Sequence, residues 1–499
     1  MDIESILREA RTDQLVKPLG FVTEAGKKQF HLQLRKMTPA IGILQRRQDA
    51  IVSLRNSLDT EKKEKIEKLF QTISELEPQL GLFQTKTEVE KNSYEQLLFS
   101  GWPALQVLNT IPFVLLLVSI FKQYIVPALA VLTPLFMVCM PFFFLKYWYN
   151  LPISVEQYTK ILFGVLGMHT LDLKNPRTIL QGSLTLFSLG QSIYQPIQNA
   201  LHLQAIHKEL MRVSQASIGF IQCFQELRSS LSMDFKDPLE SMDLSDPHRV
   251  FAELWDHPFQ LQLALQTLGD CEVVYRLAIQ ENLRPVRFYK GNTPHLVIRQ
   301  GIDPTVSNCI PFNLRLTGNH HHAILTGPNR GGKSSVLRNT VQTIVLAQTF
   351  GLGFTTGSIE LRPFDWVASG LRLEDRPGST SMFESEVDFA IQILQKAKHS
   401  PKEVGCILFD ELFHSTNPPD GARTAGLFLE KLWATSNTAS FISTHVFSLA
   451  KKANKRIQKL CVPAHRTESG ELKFTYTLKE GICEVSSVDE ILKEKGLMD

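Results

Sequence analysis

Gly327-x4-Gly332-Lys333-Ser334 lies between an apolar run, Ala323-Ile324-Leu325, and a helix-forming stretch from Val336 onward. That setting constrains the fold strongly, because a phosphate-gripping loop needs a buried strand before it and a helix after it. Gly327, Gly331 and Gly332 let the backbone turn tightly and aim its N–H groups at an anion, and the following helix adds its positive end. Lys333 is placed to reach β and γ phosphates, and the Ser334 hydroxyl to ligate Mg²⁺. Short apolar strands alternate with helical stretches through the rest of this region. The pattern predicts an α/β domain over residues 286–499 with a mostly parallel sheet.

Two further segments carry candidate chemistry. The apolar strand Cys406–Phe409 ends in Asp410-Glu411, which places Asp410 to hold a magnesium ion and Glu411 to orient or deprotonate an attacking water. Acidic residues often end strands, so this pair gains meaning only from the loop that precedes it. A second apolar strand ends in Ser443-Thr444-His445, where His445 either meets a γ-phosphate at the sheet's rim or simply caps the strand.

The rest of the chain reads as mainly helical. Leu44, Ile51 and Leu58 recur at sevens, and Ile66, Leu69, Ile73, Leu76 and Leu80 at threes and fours. Residues 1–100 therefore read as a coiled-coil seam with a slip near Lys65, or as ordinary amphipathic helices, with Pro78 interrupting or ending the run. No charge occurs from Gln96 to Phe121 or from Tyr124 to Leu145, and Lys146 is followed by Tyr147-Trp148-Tyr149. Residues 101–149 are expected to form a transmembrane helical hairpin with an interfacial aromatic belt; a very apolar core hairpin, or kinked or re-entrant helices around the five prolines, are the alternatives. Residues 150–285 read as mixed helical segments, with Ile197, Leu201, Leu203, Ile206 and Leu210 near helical period and Ser232–His248 as a linker. His202, His207 and His248 have no ligand partners at useful spacing.

Composition excludes some classes. Lys+Arg 53 against Asp+Glu 50 is no polycationic nucleic-acid binder, and 43% hydrophobic residues with 21% charged is no disordered chain. Seven cysteines without a CxxC pair argue against a disulfide framework or zinc ribbon and for a reducing compartment. The polar start MDIESILREARTDQ reads as no cleavable secretory signal.

Together, TGPNRGGKSS, GSTSMFESE at Gly378–Glu386, Asp410-Glu411 with Thr416 and Asp420-Gly421, and Thr444-His445 resemble the ATPase domain of the MutS family of mismatch-repair proteins. The resemblance spans about Tyr289 to Leu492, including a tail around Leu478, Gly481 and Ser486 similar to the family's closing β-hairpin and helix. It implies an ABC-type P-loop ATPase head that uses ATP and Mg²⁺ and works as a homodimer. Gly327, Pro328, Asn329, Gly331, Gly332, Lys333, Ser334 and Ser335 would bind nucleotide, Ser334 and Asp410 would hold Mg²⁺, and Glu411, Lys333 and His445 would be catalytic. Ser379, as N-cap of a helix carrying Phe383, Val387, Ala390, Ile391 and Leu394 at core spacing, would cap the nucleotide of the partner subunit.

Departures from the family are specific. Phe413 and Ser415 stand where it usually has glycines, Pro418-Pro419 stiffen the next turn, and Ser486-Ser487 replaces Ser-Phe-Gly. The amino-terminal part shows no mismatch-reading domain with a Phe-x-Glu wedge. The leading expectation is a membrane-tethered MutS-like ATPase with its head on the cytosolic side; without insertion the chain would be cytoplasmic or nuclear. The resemblance implies DNA as a partner; the basic groups Arg284, Arg287, Lys290 and Arg299 and the run Lys451–Lys459 would contact it or, with no aromatic platform between them, form a merely solvated face. The rivals are a transporter-associated ABC-type ATPase and a nucleotide-gated structural or remodelling protein.

Overall fold

A computed structural model of the chain describes residues 3–99, 103–165, 176–231, 237–371, 382–413, 415–467 and 472–497. Two compact units emerge, one formed by Met1–Lys65 with Gln266–Asp499 and the other by Ile66–Leu265.

The first unit holds two main sheets. Strands β1 (Leu283–Phe288), β2 (His295–Gly301), β3 (Phe312–Thr317) and β5 (Leu352–Leu361) form a mixed sheet in the order β1-β5-β2-β3. The larger sheet takes β4 (His322–Thr326), β6 (Trp366–Gly370), β7 (Gly405–Phe409), β8 (Thr438–Ser443), β9 (Gln458–Cys461) and β12 (Lys479–Glu480) in the order β12-β9-β4-β8-β7-β6. It is parallel except at β12. Every residue of β4, β7 and β8 is buried, as a parallel sheet covered on both faces requires, and this explains their unbroken apolar runs. Between them, β10 (Ala464–Arg466) and β11 (Leu472–Phe474) pair as a hairpin, and the helix Val488–Glu494 follows β12.

Helix Lys333–Phe350 is buried on nearly every side and ends at Gly351, whose φ of 75° suits a glycine cap. The amino-terminal helices of this unit dock on it. Gln342 Nε2 donates to Ala10 O at 2.8 Å and Arg47 Nη1 to Thr349 O at 2.7 Å. The seam residues Leu44 and Ile51 are buried within this unit, on helix Ile41–Ser57, which stops before Leu58. A new helix, Thr60–Leu76, begins before the expected slip and carries Lys65 within it. Ile66, Leu69 and Ile73 are buried on it, so the described residues give these positions the role of ordinary core contacts.

In the second unit, the two uncharged stretches do not turn back at Lys122-Gln123. Helical residues run without a break from Pro112 to Trp148, with π turns at Phe121–Ile125 and Phe144–Trp148. A widened turn lies beside Pro127 and another just past Pro141; each takes up the backbone disruption a proline causes, so the helix continues. Among the described residues one helix, Phe113–Pro134, is long and apolar enough to cross a bilayer. The mixed segments expected after it are instead a single 56-residue helix, Pro176–Leu231, which continues through Pro196. The expected linker ends early as well: Asp246 Oδ1 accepts from Arg249 N at 3.0 Å and caps helix Pro247–Asp256.

Candidate functional site

The strand order brings the three candidate segments together. β4 lies beside β8, and β8 beside β7, so the phosphate loop, Ser443-Thr444-His445 and Asp410-Glu411 all leave the carboxyl ends of adjacent parallel strands. Binding crevices of open α/β sheets form at that edge.

The loop itself is folded as its glycines permit. Gly332 has φ 99° and Gly327 φ 147°, and a Cβ on Gly327 would stand 2.7 Å from Val462 O. Lys333 is buried, and its Nζ donates to Gly327 O and Pro328 O, each at 2.9 Å. Burial lowers the Lys333 pKa, while Glu411 and Asp410 push it upward. Ser334 is exposed at the helix start. Asn329 O accepts from Ser487 Oγ at 3.0 Å, and Arg330 pairs with Glu494, so the tail lies against the loop.

Ser443, fully buried, joins the two acids. Its Oγ donates to Asp410 Oδ1 and accepts from Glu411 N–H at 3.0 Å. Glu411 Oε1 lies 2.7 Å from His445 Nε2. His445 thus meets the neighbouring carboxylate directly.

A cavity of about 540 Å³ opens over the loop, lined by Pro328–Val336 and Glu411. That is room for a nucleotide-sized ligand. Its remaining wall comes from residues the sequence reading did not single out: Asp303, Cys309, Ile310 and Phe312 around the β2–β3 connection, Asn339, and Tyr476 of the tail. Tyr476 packs 3.5 Å from the position a Cβ on Gly332 would take, with φ 52° of its own. The only local signal was an aromatic residue in the tail segment already matched to the family.

The donor set fits a magnesium ion carried in with phosphates: an exposed Ser334 hydroxyl and the Asp410 carboxylate are hard oxygen ligands. Among the described residues no group of three or more His, Cys, Asp or Glu could hold a metal by itself. Such an ion would take most of its ligands from phosphate and water.

Ser379 and the first part of its motif, Gly378–Ser381, lie outside the described residues, as does His414. In the helix that follows, Met382–His399, Ala390 is buried and Phe383, Val387 and Leu394 pack against the core. Ile391 does not: it is 45% exposed, and Ile393 fills the core place instead. Pro418-Pro419 do not stiffen a turn but open helix Pro418–Trp433, where Asn417 Oδ1 accepts from Asp420 N at 3.0 Å. Of the basic groups, Arg299 is engaged by Glu360 at 2.6 Å and Lys451 by Glu484 at 2.7 Å.

The family described as MutS domain V matches residues 323–495. The DNA mismatch repair protein MutS of Leuconostoc mesenteroides subsp. mesenteroides is 29% identical over 253 residues, covering 48% of this chain. That match spans only 29% of the relative's own length. Motif order and strand topology agree with both matches: residues 323–495 carry a MutS domain V, and about half of the chain is similar to MutS.

Proposed function

We propose that the chain is a MutS-like ATPase that binds Mg·ATP in the cavity over residues 327–334 and hydrolyses it at sites completed by a second copy. The observation that carries this reading is the convergence of Lys333, Ser334 and Glu411 on one cavity. Backbone N–H groups from Gly327 to Ser335 and the helix start would hold the phosphates. Lys333 would exchange its two carbonyl partners for phosphate oxygens. Ser334 and Asp410 would hold Mg²⁺, which when bound neutralises the phosphates and fixes their orientation. Glu411 would take the proton of the attacking water, with His445 holding its carboxylate in place and Ser443 tying it to Asp410.

Glu411→Gln should lower turnover by about 10²- to 10⁴-fold, the range a positioned general base supplies. Affinity for Mg·ATP by calorimetry should change only a few-fold. Turnover at the unaltered rate would refute the role given to Glu411, and absence of nucleotide binding by the unaltered chain would refute the whole reading.

The relative's name suggests action on DNA, and the apolar helix Phe113–Pro134 suggests a membrane tether with the ATPase unit on the cytosolic side. Duplex DNA that accelerates turnover supports the first suggestion, and retention in membranes after carbonate washing supports the second.

A further inference from the structure

The apolar helix has a neighbour with the same electrical character. Residues 178–207 contain no Asp, Glu, Lys or Arg, and they begin the long helix Pro176–Leu231, which packs along Val126–Phe143. Ser119 Oγ and His207 Nδ1 lie 3.1 Å apart, and Gln123 Nε2 donates to Ser119 Oγ. Beyond that polar join both helices turn large apolar side chains outward, among them Phe136 and Phe144 on one and Leu184 and Phe187 on the other, while the second also exposes the uncharged polar residues Gln191, Gln195, Gln198 and Asn199.

Dimensions and ends favour lipid as the occupant of this surface. Tyr124–Leu145 spans about 33 Å at 1.5 Å per residue, close to the ~30 Å hydrocarbon core of a bilayer. It ends at Lys146 and the exposed aromatics Tyr147, Trp148 and Tyr149, as interfacial anchors do. A second copy would cover one stripe of such a helix. Here exposed apolar residues stand at adjacent positions, Phe136 with Met137 and Phe143 with Phe144. Neighbours in sequence point about 100° apart around a helix, so only a solvent that surrounds it covers both.

We infer that the chain crosses the bilayer outward on the run Pro112–Trp148 and returns on the first part of Pro176–Leu231, leaving Asn150–Ser154 on the far face. This deepens the tether reading and rests on it. The hairpin expected inside residues 101–149 is replaced by one whose second arm lies beyond them.

The test uses the full chain in sealed vesicles from the expressing cell with the ATPase unit outside. A membrane-impermeant maleimide is applied before and after detergent, and peptide mapping separates each introduced thiol from native cysteines. The thiol introduced by Asn56→Cys should react in intact vesicles. That from Asn150→Cys should gain at least tenfold in labelling only after detergent. Equal labelling of the Asn150→Cys thiol in intact vesicles, with the chain retained through carbonate, overturns both crossings and leaves only a tether that does not span the bilayer. Release by carbonate overturns the tether as well. Leu184→Arg alters an exposed position and should raise the carbonate-released fraction several-fold, whereas Leu427→Arg, exposed on the ATPase unit, should not. Equal release by the two variants also overturns the inference.

Discussion

Glu411 and Phe413 both take left-handed backbone conformations, at φ 56° and 55°. A side chain there costs roughly 1–2 kcal/mol relative to glycine, a cost that a glycine at position 413 would avoid. Phe413 offsets the cost by being buried, with its ring 6.2 Å from Phe383 and 6.1 Å from Phe428. Full burial of such a side chain contributes about 1.5–3 kcal/mol, so the departure is tolerated. Glu411 has no such burial; its N–H is held by Ser443 instead. Another single residue makes a pH-dependent claim. His322 is buried on β4 between Ser440 Oγ and Thr435 O, and burial, with His321 adding to it, pushes its pKa from 6.5 down to about 3. Folded protein therefore keeps it neutral while the unfolded chain takes up a proton below pH 6.5. Its contribution is fully present above that pH and is lost as pH falls toward 3, at up to about 1.4 kcal/mol per pH unit. Urea midpoints followed from pH 7 to pH 4 should fall more steeply for the unaltered chain than for His322→Gln. Parallel curves would show that His322 does not titrate with unfolding.

Arg55 fixes how three elements meet. From helix Ile41–Ser57 it donates through Nε to Ala278 O at 2.8 Å, and through Nη2 to Leu277 O at 3.1 Å, Gln280 O at 3.2 Å and Leu283 O at 2.8 Å. The first two carbonyls end helix Pro258–Ile279, where orphan acceptors and the negative helix end favour a cation. Leu283 O opens β1. Arg55→Ala should destabilise this unit by at least roughly 2–4 kcal/mol, since each hydrogen bond to a charged donor contributes about 1.5–3 kcal/mol. Arg55→Lys should recover only part, because an ammonium cannot fork to four acceptors. An unfolding midpoint unchanged in Arg55→Ala would refute this bracing role. None of it was legible in advance: Arg55 sits in a charged stretch with ordinary helical spacing, and its partners are more than 200 residues away. By contrast, β4, β7, β8 and helix Lys333–Phe350 were legible because motif chemistry and unbroken apolar runs coincide there. The turn expected at Lys122-Gln123 failed because two polar residues do not break a helix unless the backbone is also made to turn.

The phosphate loop and the acidic pair were readable because each is local in sequence, whereas the cavity's other wall is assembled from the β2–β3 connection and Tyr476, joined only by the sheet's topology. The same distinction bears on assembly. One copy supplies the loop, Glu411 and His445, while Ser334 stays exposed on the loop's open side. If a second copy's Ser379 helix start closes that side over the γ-phosphate, association must depend on a triphosphate, because a ligand shifts an equilibrium only by its differential affinity for the two states. Glu411→Gln, expected to bind ATP without consuming it, should hold the closed state longest. In detergent micelles, light scattering should show the protein mass doubling with Mg·ATP and returning to the single-copy value with Mg·ADP. Ser379→Arg should abolish the doubling while leaving nucleotide binding by its own loop within a few-fold. A mass that stays constant with every nucleotide would remove the composite site and leave an ATPase that works alone.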